Sequence, residues 1–141
     1  EAFEARIVER DIGDRFQLAG FRPDVESWLG AADILAHPSE LEGLPNVVLE
    51  AMGRGVAVVS TRAGGLGEIV TSDEQAILCD VDDYEGFVAG IERLVQDGEL
   101  RKRVAAAGLR HVRDHHSWEL MVDRVEPILT DLIRRKDRDD A

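Results

Sequence analysis

Short apolar runs alternate with segments of helical periodicity along the chain, and this alternation constrains the fold more than any other feature. The runs at residues 34–37, 56–60 and 76–79 have the length and apolar character of buried strands. Helical patterns separate them, which is the order expected of parallel strands joined by crossover helices. The sequence therefore predicts an α/β domain, a parallel sheet flanked by helices.

The expected elements follow from periodicity and from turn residues. A further short strand is predicted over residues 16–21, ending near Gly20. Trp28, Leu29 and Trp118 are expected to face the core, Gly55 to end a helix as a left-handed cap, and Pro127 to kink the last helix. Helices are predicted over residues 1–11, 25–32, 46–54, 68–71, 83–96, 100–112 and 118–135. The charged run 134–141 is expected to fray.

Charge and composition exclude several classes of partner. The 17 basic and 29 acidic side chains give a net charge of −12, and no basic stripe could neutralise a nucleic-acid backbone. No apolar stretch is long enough for a transmembrane segment, and no signal segment opens the chain. Cys79 lies in an apolar run and has no second cysteine to pair with, which favours a buried thiol in a reducing, cytoplasmic setting.

The loop over residues 38–50 carries the strongest functional signal. It leaves a predicted strand, turns at Gly43 and Pro45, and enters a helix whose first N–H groups lack internal acceptors. Such a helix start attracts anions without any lysine, which suits an acidic chain. Glu42 and Glu50 flank the turn, and carboxylates beside a phosphate are suited to accept hydrogen bonds from hydroxyl groups. Hydroxyls together with phosphate indicate a nucleotide sugar.

The run from Glu42 to Met52, with two glutamates separated by seven residues and followed by Gly55 and an apolar strand, resembles the donor-binding motif of retaining GT-B glycosyltransferases of the family-four type, group 1. Residues 16–25, 31–33 and 38–39 match that family in order and spacing. The turn Gly64-Gly65-Leu66-Gly67 is similar to its glycine-rich turn. The resemblance covers residues 1 to about 130 and implies a Rossmann-like C-terminal half of such an enzyme, truncated at its N-terminus.

The resemblance also implies roles for individual residues. Glu50 would accept hydrogen bonds from the donor ribose, and Glu42 would face the sugar near the reacting carbon as a candidate catalyst. Backbone N–H groups from Gly43 to Val47 would hold sugar hydroxyls and diphosphate, and Gly20 and Phe21 would lie beside the base. The full set of candidates is Gly20, Phe21, Glu42, Gly43, Leu44, Asn46, Val47 and Glu50, with Gly64, Gly65 and His37 as further possibilities.

Members of this family use a nucleotide diphosphate sugar and no metal or cofactor. Asp80 and Asp82 have the D-x-D spacing of metal-dependent glycosyltransferases, but residues 80–83 enter a helix and are expected to cap it. His111, His115 and His116 have no carboxylate or cysteine at ligand spacing. The resemblance, together with these positions, therefore implies a metal-independent site.

Part of the family pattern is missing. Residues 1–133 would form a partial donor-binding domain, because the basic pair for the diphosphate and the whole N-terminal acceptor domain are not found in this sequence, which begins at Glu1. We therefore expect the chain to be cut from a longer protein, to bind donor weakly and to transfer no sugar alone. A missing strand would also expose a sheet edge and promote self-association.

The resemblance points to polysaccharide or glycolipid biosynthesis in the cytoplasm, with the full-length parent peripheral at the inner membrane face. The alternative is a non-catalytic parallel-sheet module that binds nucleotides or acts as a receiver-like interaction domain. A receiver needs an acidic cluster at early strand ends and a lysine at a late one. His37 and Ser60 occupy such ends here, and lysine occurs only at positions 102 and 136. Nucleotide-sugar binding distinguishes the two classes.

Overall fold

The computed structural model describes residues 2–139, with side chains described for residues 3–136. This part of the chain forms three strands and seven helices, and single helices separate the three strands. The strands are β1 (Ile34–His37), β2 (Ala57–Thr61) and β3 (Ile77–Cys79). The helices are α1 (Ala2–Glu9), α2 (Val25–Ala31), α3 (Asn46–Gly53), α4 (Leu66–Ile69), α5 (Tyr84–Gln96), α6 (Gly98–His115) and α7 (Trp118–Asp139).

The strands form one parallel sheet in the order β1-β2-β3, and helices cover it, so the predicted α/β class is confirmed. In the register between β1 and β2, Ile34 is paired with Ala57 and His37 with Ser60. Between β2 and β3, Val59 is paired with Ile77 and Thr61 with Cys79. All three strands therefore end at the same edge of the sheet.

Strand β2 lies at the centre of the domain, and every one of its residues is buried. Val58 packs into one apolar cluster with residues of α2, α3 and α4, including Leu29 and Met52. Val59 packs into a second cluster on the other face, with Leu94 of α5 and Val104 of α6. This double burial is the reason that the strand is apolar at consecutive positions rather than at alternate ones.

Helix α3 ends two residues before Gly55, the glycine that the sequence predicts as its cap. Gly55 has a φ of 72°, its N–H donates to the carbonyl of Met52 at 3.0 Å, and the N–H of Val56 donates to the carbonyl of Ala51 at 3.0 Å. These two hydrogen bonds form a Schellman motif, in which a glycine adopts the left-handed conformation at little steric cost. The predicted cap is confirmed, and it turns the chain directly into β2.

The expected capping role of the aspartates before α5 is confirmed at one position. Asp83 precedes the helix, and its Oδ1 accepts a hydrogen bond from the N–H of Gly86 at 2.9 Å. Asp97 caps α6 in the same way through the N–H of Leu100, at 2.8 Å. A carboxylate at these positions satisfies a free amide and interacts favourably with the helix dipole.

The predicted strand over residues 16–21 is wrong. These residues have no regular secondary structure and no hydrogen-bonded partner strand within residues 2–139, and Phe16 and Leu18 are 50% and 47% exposed. Apolar alternation makes a strand only where a neighbour pairs with its backbone, and β1 pairs here with β2 alone.

The expected burial of two tryptophans is also wrong. Trp28 is 43% exposed and lies beneath the guanidinium of Arg22, 5.2 Å from the ring centroid, whereas Leu29 is buried as expected. Trp118 is 76% exposed at the start of α7. Both rings are large enough to lie over a surface with only one face covered.

The last helix is longer than expected. Helix α7 continues to Asp139 with Pro127 inside it, so the charged segment is helical up to that residue. Residues 140 and 141 of the segment expected to fray lie outside the described residues. In the part of the chain between residues 2 and 139, no helix has both the length and the apolar character to cross a membrane.

Cys79 provides a pH test of this packing. Burial, followed by the carboxylate of Asp83, raises the pKa of its thiol above the ordinary value of 9.0. Above pH 9 the unfolded chain loses this proton while the folded chain keeps it. The thiol's contribution to folding stability should therefore decline as the pH rises from 9 towards the folded-state pKa. We expect the free energy of unfolding to fall less steeply over this range in Cys79→Ala, as measured by urea titration at several pH values.

Thiol labelling provides a second reading of the same packing. Native Cys79 should react with iodoacetamide at pH 8 at least tenfold more slowly than the urea-unfolded chain, because a buried thiol is both protonated and shielded. Equal labelling rates in the native and unfolded chains would contradict the burial described here.

Candidate functional site

The loops that follow the three strands lie at one edge of the sheet, because parallel strands end on the same side. His37 ends β1, Thr61 ends β2 and Cys79 ends β3. Open parallel sheets bind ligands beyond this edge. The predicted site residues at positions 37–50 and 64–65 belong to the loops after β1 and β2 and to the helix that follows the first loop.

Two hydrogen bonds, one from the end of β2 and one from the loop after it, hold the loop after β1 in place. The hydroxyl of Thr61 donates a hydrogen bond to the carbonyl of Ser39. Further along, the N–H of Gly65 donates to the carbonyl of Gly43 at 2.9 Å. The loop is therefore fastened at two points before any ligand is present, and a preformed site loses less entropy on binding.

Close approach of the two loops explains the glycine-rich turn. Gly64 has a φ of 56°, and a Cβ atom placed on it would lie 1.9 Å from the carbonyl oxygen of Glu42. A Cβ on Gly65 would lie 2.8 Å from the carbonyl oxygen of Gly43. These glycines are required by packing against the Glu42 loop, and a ligand contact by either stays a prediction.

The carboxylate of Glu42 is held by a histidine. The Nε2 atom of His37 lies 3.2 Å from Oε1 of Glu42, and the two side chains are 17% and 28% exposed. On its other side, Nδ1 of His37 lies 3.1 Å from the hydroxyl of Ser60, which is fully buried. Glu42 therefore faces the sheet edge from a loop whose backbone and side chain are both constrained.

The start of α3 offers fewer free amides than the sequence indicated. Pro45 has no N–H, and the N–H of Asn46 donates to the carbonyl of Leu44 at 2.9 Å. The N–H groups of Gly43, Leu44 and Val47 donate to no acceptor among residues 2–139. The predicted range from 43 to 47 thus narrows to three amides that a ligand could use.

Glu50 lies one turn into α3, in a separate part of this surface. With Asn46 it lines an open cavity of about 700 Å³ between α3, the end of α6 and the start of α7, which also includes His116, Trp118 and Glu119. The Glu50 carboxylate makes no hydrogen bond or ion pair within the described residues, since Arg54 pairs with Glu26 at 3.0 Å instead. It is therefore available to accept hydrogen bonds from hydroxyl groups.

One histidine of α6 has a structural role. His111 uses both ring nitrogens, Nε2 with the carbonyl of Ile69 at 2.6 Å and Nδ1 with the amide of Gln75 at 3.1 Å. Partial burial, followed by the imidazoles of His111 and His115, lowers the pKa of His116, which favours its neutral form in the cavity wall beside Glu50. No group of three or more His, Cys, Asp or Glu side chains in the described part of the chain is arranged to hold a metal ion.

The base-side candidates lie on the segment before α2. Gly20 has a φ of 66°, and the side chain of Phe21 is 93% exposed. No hydrogen bond joins either residue to the Glu42 loop or to α3 within residues 2–139. Their proximity to a base therefore stays a prediction.

The structure brings the candidates together in two groups. His37, Glu42, Gly43, Gly64 and Gly65 form one cluster at the ends of β1 and β2. Asn46 and Glu50 form the second group, on the exposed side of α3, and the residues lining their cavity do not include Glu42. A ligand that contacts both glutamates would pass over the start of α3.

Sequence reasoning missed the role of two polar residues. Ser60 and Thr61 are the buried polar residues at the end of β2, and each donates a hydrogen bond towards β1 or its loop. The available signal was a pair of hydroxyl side chains at the end of an otherwise apolar strand, because buried hydroxyls require partners.

Known proteins are similar to this chain in both sequence and fold. The family description Glycosyl transferases group 1 matches residues 1–111. The lipopolysaccharide core biosynthesis glycosyltransferase LpsE of Rhizobium meliloti is 35% identical over 112 residues, covering 79% of this chain and 33% of LpsE. The N-acetyl-alpha-D-glucosaminyl L-malate synthase of Bacillus anthracis is 31% identical over 123 residues, covering 87% of this chain and 32% of that protein. The chain thus spans about one third of the length of these relatives.

Solved structures share this fold. The C-terminal domain of the group 1 glycosyl transferase LpcC from Francisella tularensis has a TM-score of 0.73 and 25% identity, over 83% of this chain and 62% of that chain. Anabaena Alr3699/HepE, solved with UDP, has a TM-score of 0.85 and 22% identity, over 92% of this chain and 36% of that chain. The fold is that of the C-terminal GT-B domain, and the chain belongs to the glycosyl transferases group 1 family.

Proposed function

We propose that this chain is the donor-binding part of a retaining, metal-independent glycosyltransferase. The full-length enzyme would transfer a sugar from a nucleotide diphosphate sugar to a glycan or lipid-linked acceptor, in polysaccharide or glycolipid biosynthesis. The observation that carries this proposal is the start of α3, where free amides lie between two glutamates. The names of relatives such as LpsE support the pathway, and we place the full-length protein in the cytoplasm, peripheral at the inner membrane face.

The proposed donor lies across the first turn of α3. The free N–H groups of Gly43, Leu44 and Val47 donate to diphosphate and sugar hydroxyls, aided by the positive end of the helix dipole. Glu50 accepts hydrogen bonds from the ribose, because its carboxylate has no protein partner among the described residues. The base lies towards Phe21, whose exposed ring offers a flat apolar surface.

Glu42 acts on the sugar rather than on the phosphate, since a carboxylate repels an anion. In a front-face reaction the bond between the anomeric carbon and the diphosphate breaks, and the acceptor oxygen forms its bond on the same face. The acceptor's proton passes to a departing diphosphate oxygen. Glu42 then stabilises the positive charge that develops on the sugar, as a fixed negative group in a partly buried position.

Calorimetric titration of this chain with UDP-glucose and with GDP-mannose tests the proposed function. We expect weak binding of at least one donor, with a Kd on the order of 0.1 to 1 mM, because the proposal assigns the diphosphate to backbone amides alone, without the basic pair that the resemblance implies for the family. Because the acceptor would bind to a part of the enzyme outside this sequence, we also expect no sugar transfer by this chain alone.

Two results would contradict the proposal. Absence of binding by both nucleotide sugars, and by UDP and GDP, would favour a non-catalytic interaction module. Measurable transfer by the chain alone would show that the acceptor site lies within these 141 residues.

A further inference from the structure

The contact between His37 and Ser60 at the sheet edge has no role in the function proposed above. His37 and Ser60 are paired residues at the ends of β1 and β2, so their side chains are adjacent by register. The Ser60 oxygen lies 2.9 Å from the carbonyl oxygen of His37 and 3.1 Å from its Nδ1. Because Ser60 is fully buried and fixed by the strand, it fixes the orientation of the imidazole ring.

The ring then presents its second nitrogen to the candidate sugar-binding glutamate. Nε2 of His37 lies 3.2 Å from Oε1 of Glu42. The backbone of Glu42 is approached closely by Gly64, where a Cβ atom would lie 1.9 Å from its carbonyl oxygen. The side chain of this glutamate is thus contacted from the end of β1, and its main chain from the loop after β2.

The hydrogen bonds of Ser60 bear on whether Nε2 of His37 carries a proton. If the Ser60 hydroxyl donates to the His37 carbonyl, then Nδ1–H donates to Ser60, and Nε2 needs a second proton to bind a carboxylate. If the hydroxyl instead donates to Nδ1, the neutral ring carries its proton on Nε2. The distance of 3.2 Å fits an N–H group at Nε2 that donates to Oε1 of Glu42, and Oε2 has no partner among the described residues.

We propose that His37 is a positioning residue that fixes one oxygen of Glu42 and leaves the other for the donor sugar. This role rests on the proposed function, because Glu42 is assigned to the sugar there. Binding of the nucleoside diphosphate alone does not depend on His37. Discrimination between a nucleotide sugar and its bare nucleotide does, since the sugar is the part that Glu42 contacts.

Nitrogen NMR of the histidine-labelled chain tests the contact without any ligand. The Nε2 atom of His37 should be protonated at neutral pH in the wild type, and Glu42→Ala or Ser60→Ala should allow the proton to exchange between Nδ1 and Nε2. An Nε2 atom without a proton in the wild type, or a spectrum unchanged in Glu42→Ala, overturns the contact.

Binding measurements test the positioning role. We expect His37→Phe to raise the Kd for the better of UDP-glucose and GDP-mannose about 5-fold, with the Kd for the matching UDP or GDP changed less than 2-fold. His37→Gln, whose amide reaches close to the position of Nε2, should restore most of the affinity. In a Glu42→Ala background, His37→Phe should have no further effect.

Three outcomes overturn the positioning role: equal losses for nucleotide and nucleotide sugar, the same loss in the Glu42→Ala background, or no rescue by glutamine. If the wild type binds none of the four probes, the proposed function fails and the positioning role fails with it. The nitrogen spectra still decide the His37–Glu42 contact in that case, so the two failures are distinguishable.

Discussion

Gly64→Ala should lower the free energy of unfolding by about 3 kcal/mol. About 1–2 kcal/mol comes from placing a side chain at a residue with a φ of 56°. The remainder comes from displacing the Glu42 loop, because the new Cβ atom would otherwise lie 1.9 Å from the Glu42 carbonyl oxygen. The loop displacement should also weaken binding of a nucleotide sugar in any molecules that remain folded.

Urea unfolding followed by circular dichroism measures this loss, and Gly67→Ala is the matched control. Gly67 belongs to the same glycine-rich turn, but a Cβ there meets nothing within 4 Å, and the residue is already in α4. Alanine favours a helix over glycine, so this control should be neutral or stabilising by up to about 1 kcal/mol. Equal effects of the two substitutions would show that the approach to the Glu42 backbone is unimportant.

Glu50→Ala should weaken binding of a nucleotide sugar about 10- to 100-fold. Loss of charge-assisted hydrogen bonds to ribose hydroxyls costs about 1.5–3 kcal/mol, and each 1.4 kcal/mol is a factor of ten in Kd. The loss should be equally large for UDP or GDP alone, because the ribose belongs to the nucleotide. Calorimetric titration of both ligand types therefore separates the role of Glu50 from that of Glu42.

Glu119→Ala is the control for charge at this surface. Glu119 lines the same cavity as Glu50 but belongs to α7 rather than to α3. Removing it changes the cavity's net charge by the same amount, and we expect less than a 2-fold change in Kd. Should Glu50→Ala bind as the wild type does, or should both variants gain affinity equally, Glu50 has no specific contact with the ribose.

Local signals were sufficient to predict much of the fold. The apolar run that forms β2 and the glycine that ends α3 depend on residues close in sequence, and both were predicted. The strand expected over residues 16–21 failed because a strand needs a partner, which periodicity does not show. Trp28 was placed in the core for a similar reason, since its burial depends on which elements cover it.

Part of the candidate site could likewise be predicted from local sequence, and part could not. Glu42, Glu50 and the glycines were found from their spacing in sequence, because a strand-loop-helix motif is local. The contact between His37 and Glu42 depends on the register of β1 with β2, which pairs His37 with a residue 23 positions away. Two of the five residues predicted to offer free amides, Pro45 and Asn46, do not. Proline has no N–H group, and the N–H of Asn46 is used in a short turn at the start of α3.

The central claim is that the start of α3 binds the donor's diphosphate. Amide NMR during titration with UDP-glucose or GDP-mannose tests this claim most directly. The claim predicts the largest shifts in the ¹H–¹⁵N spectrum at Gly43, Leu44 and Val47. Shifts confined to Arg103 and Arg110, which line a separate cavity of about 460 Å³ along α6, would contradict it.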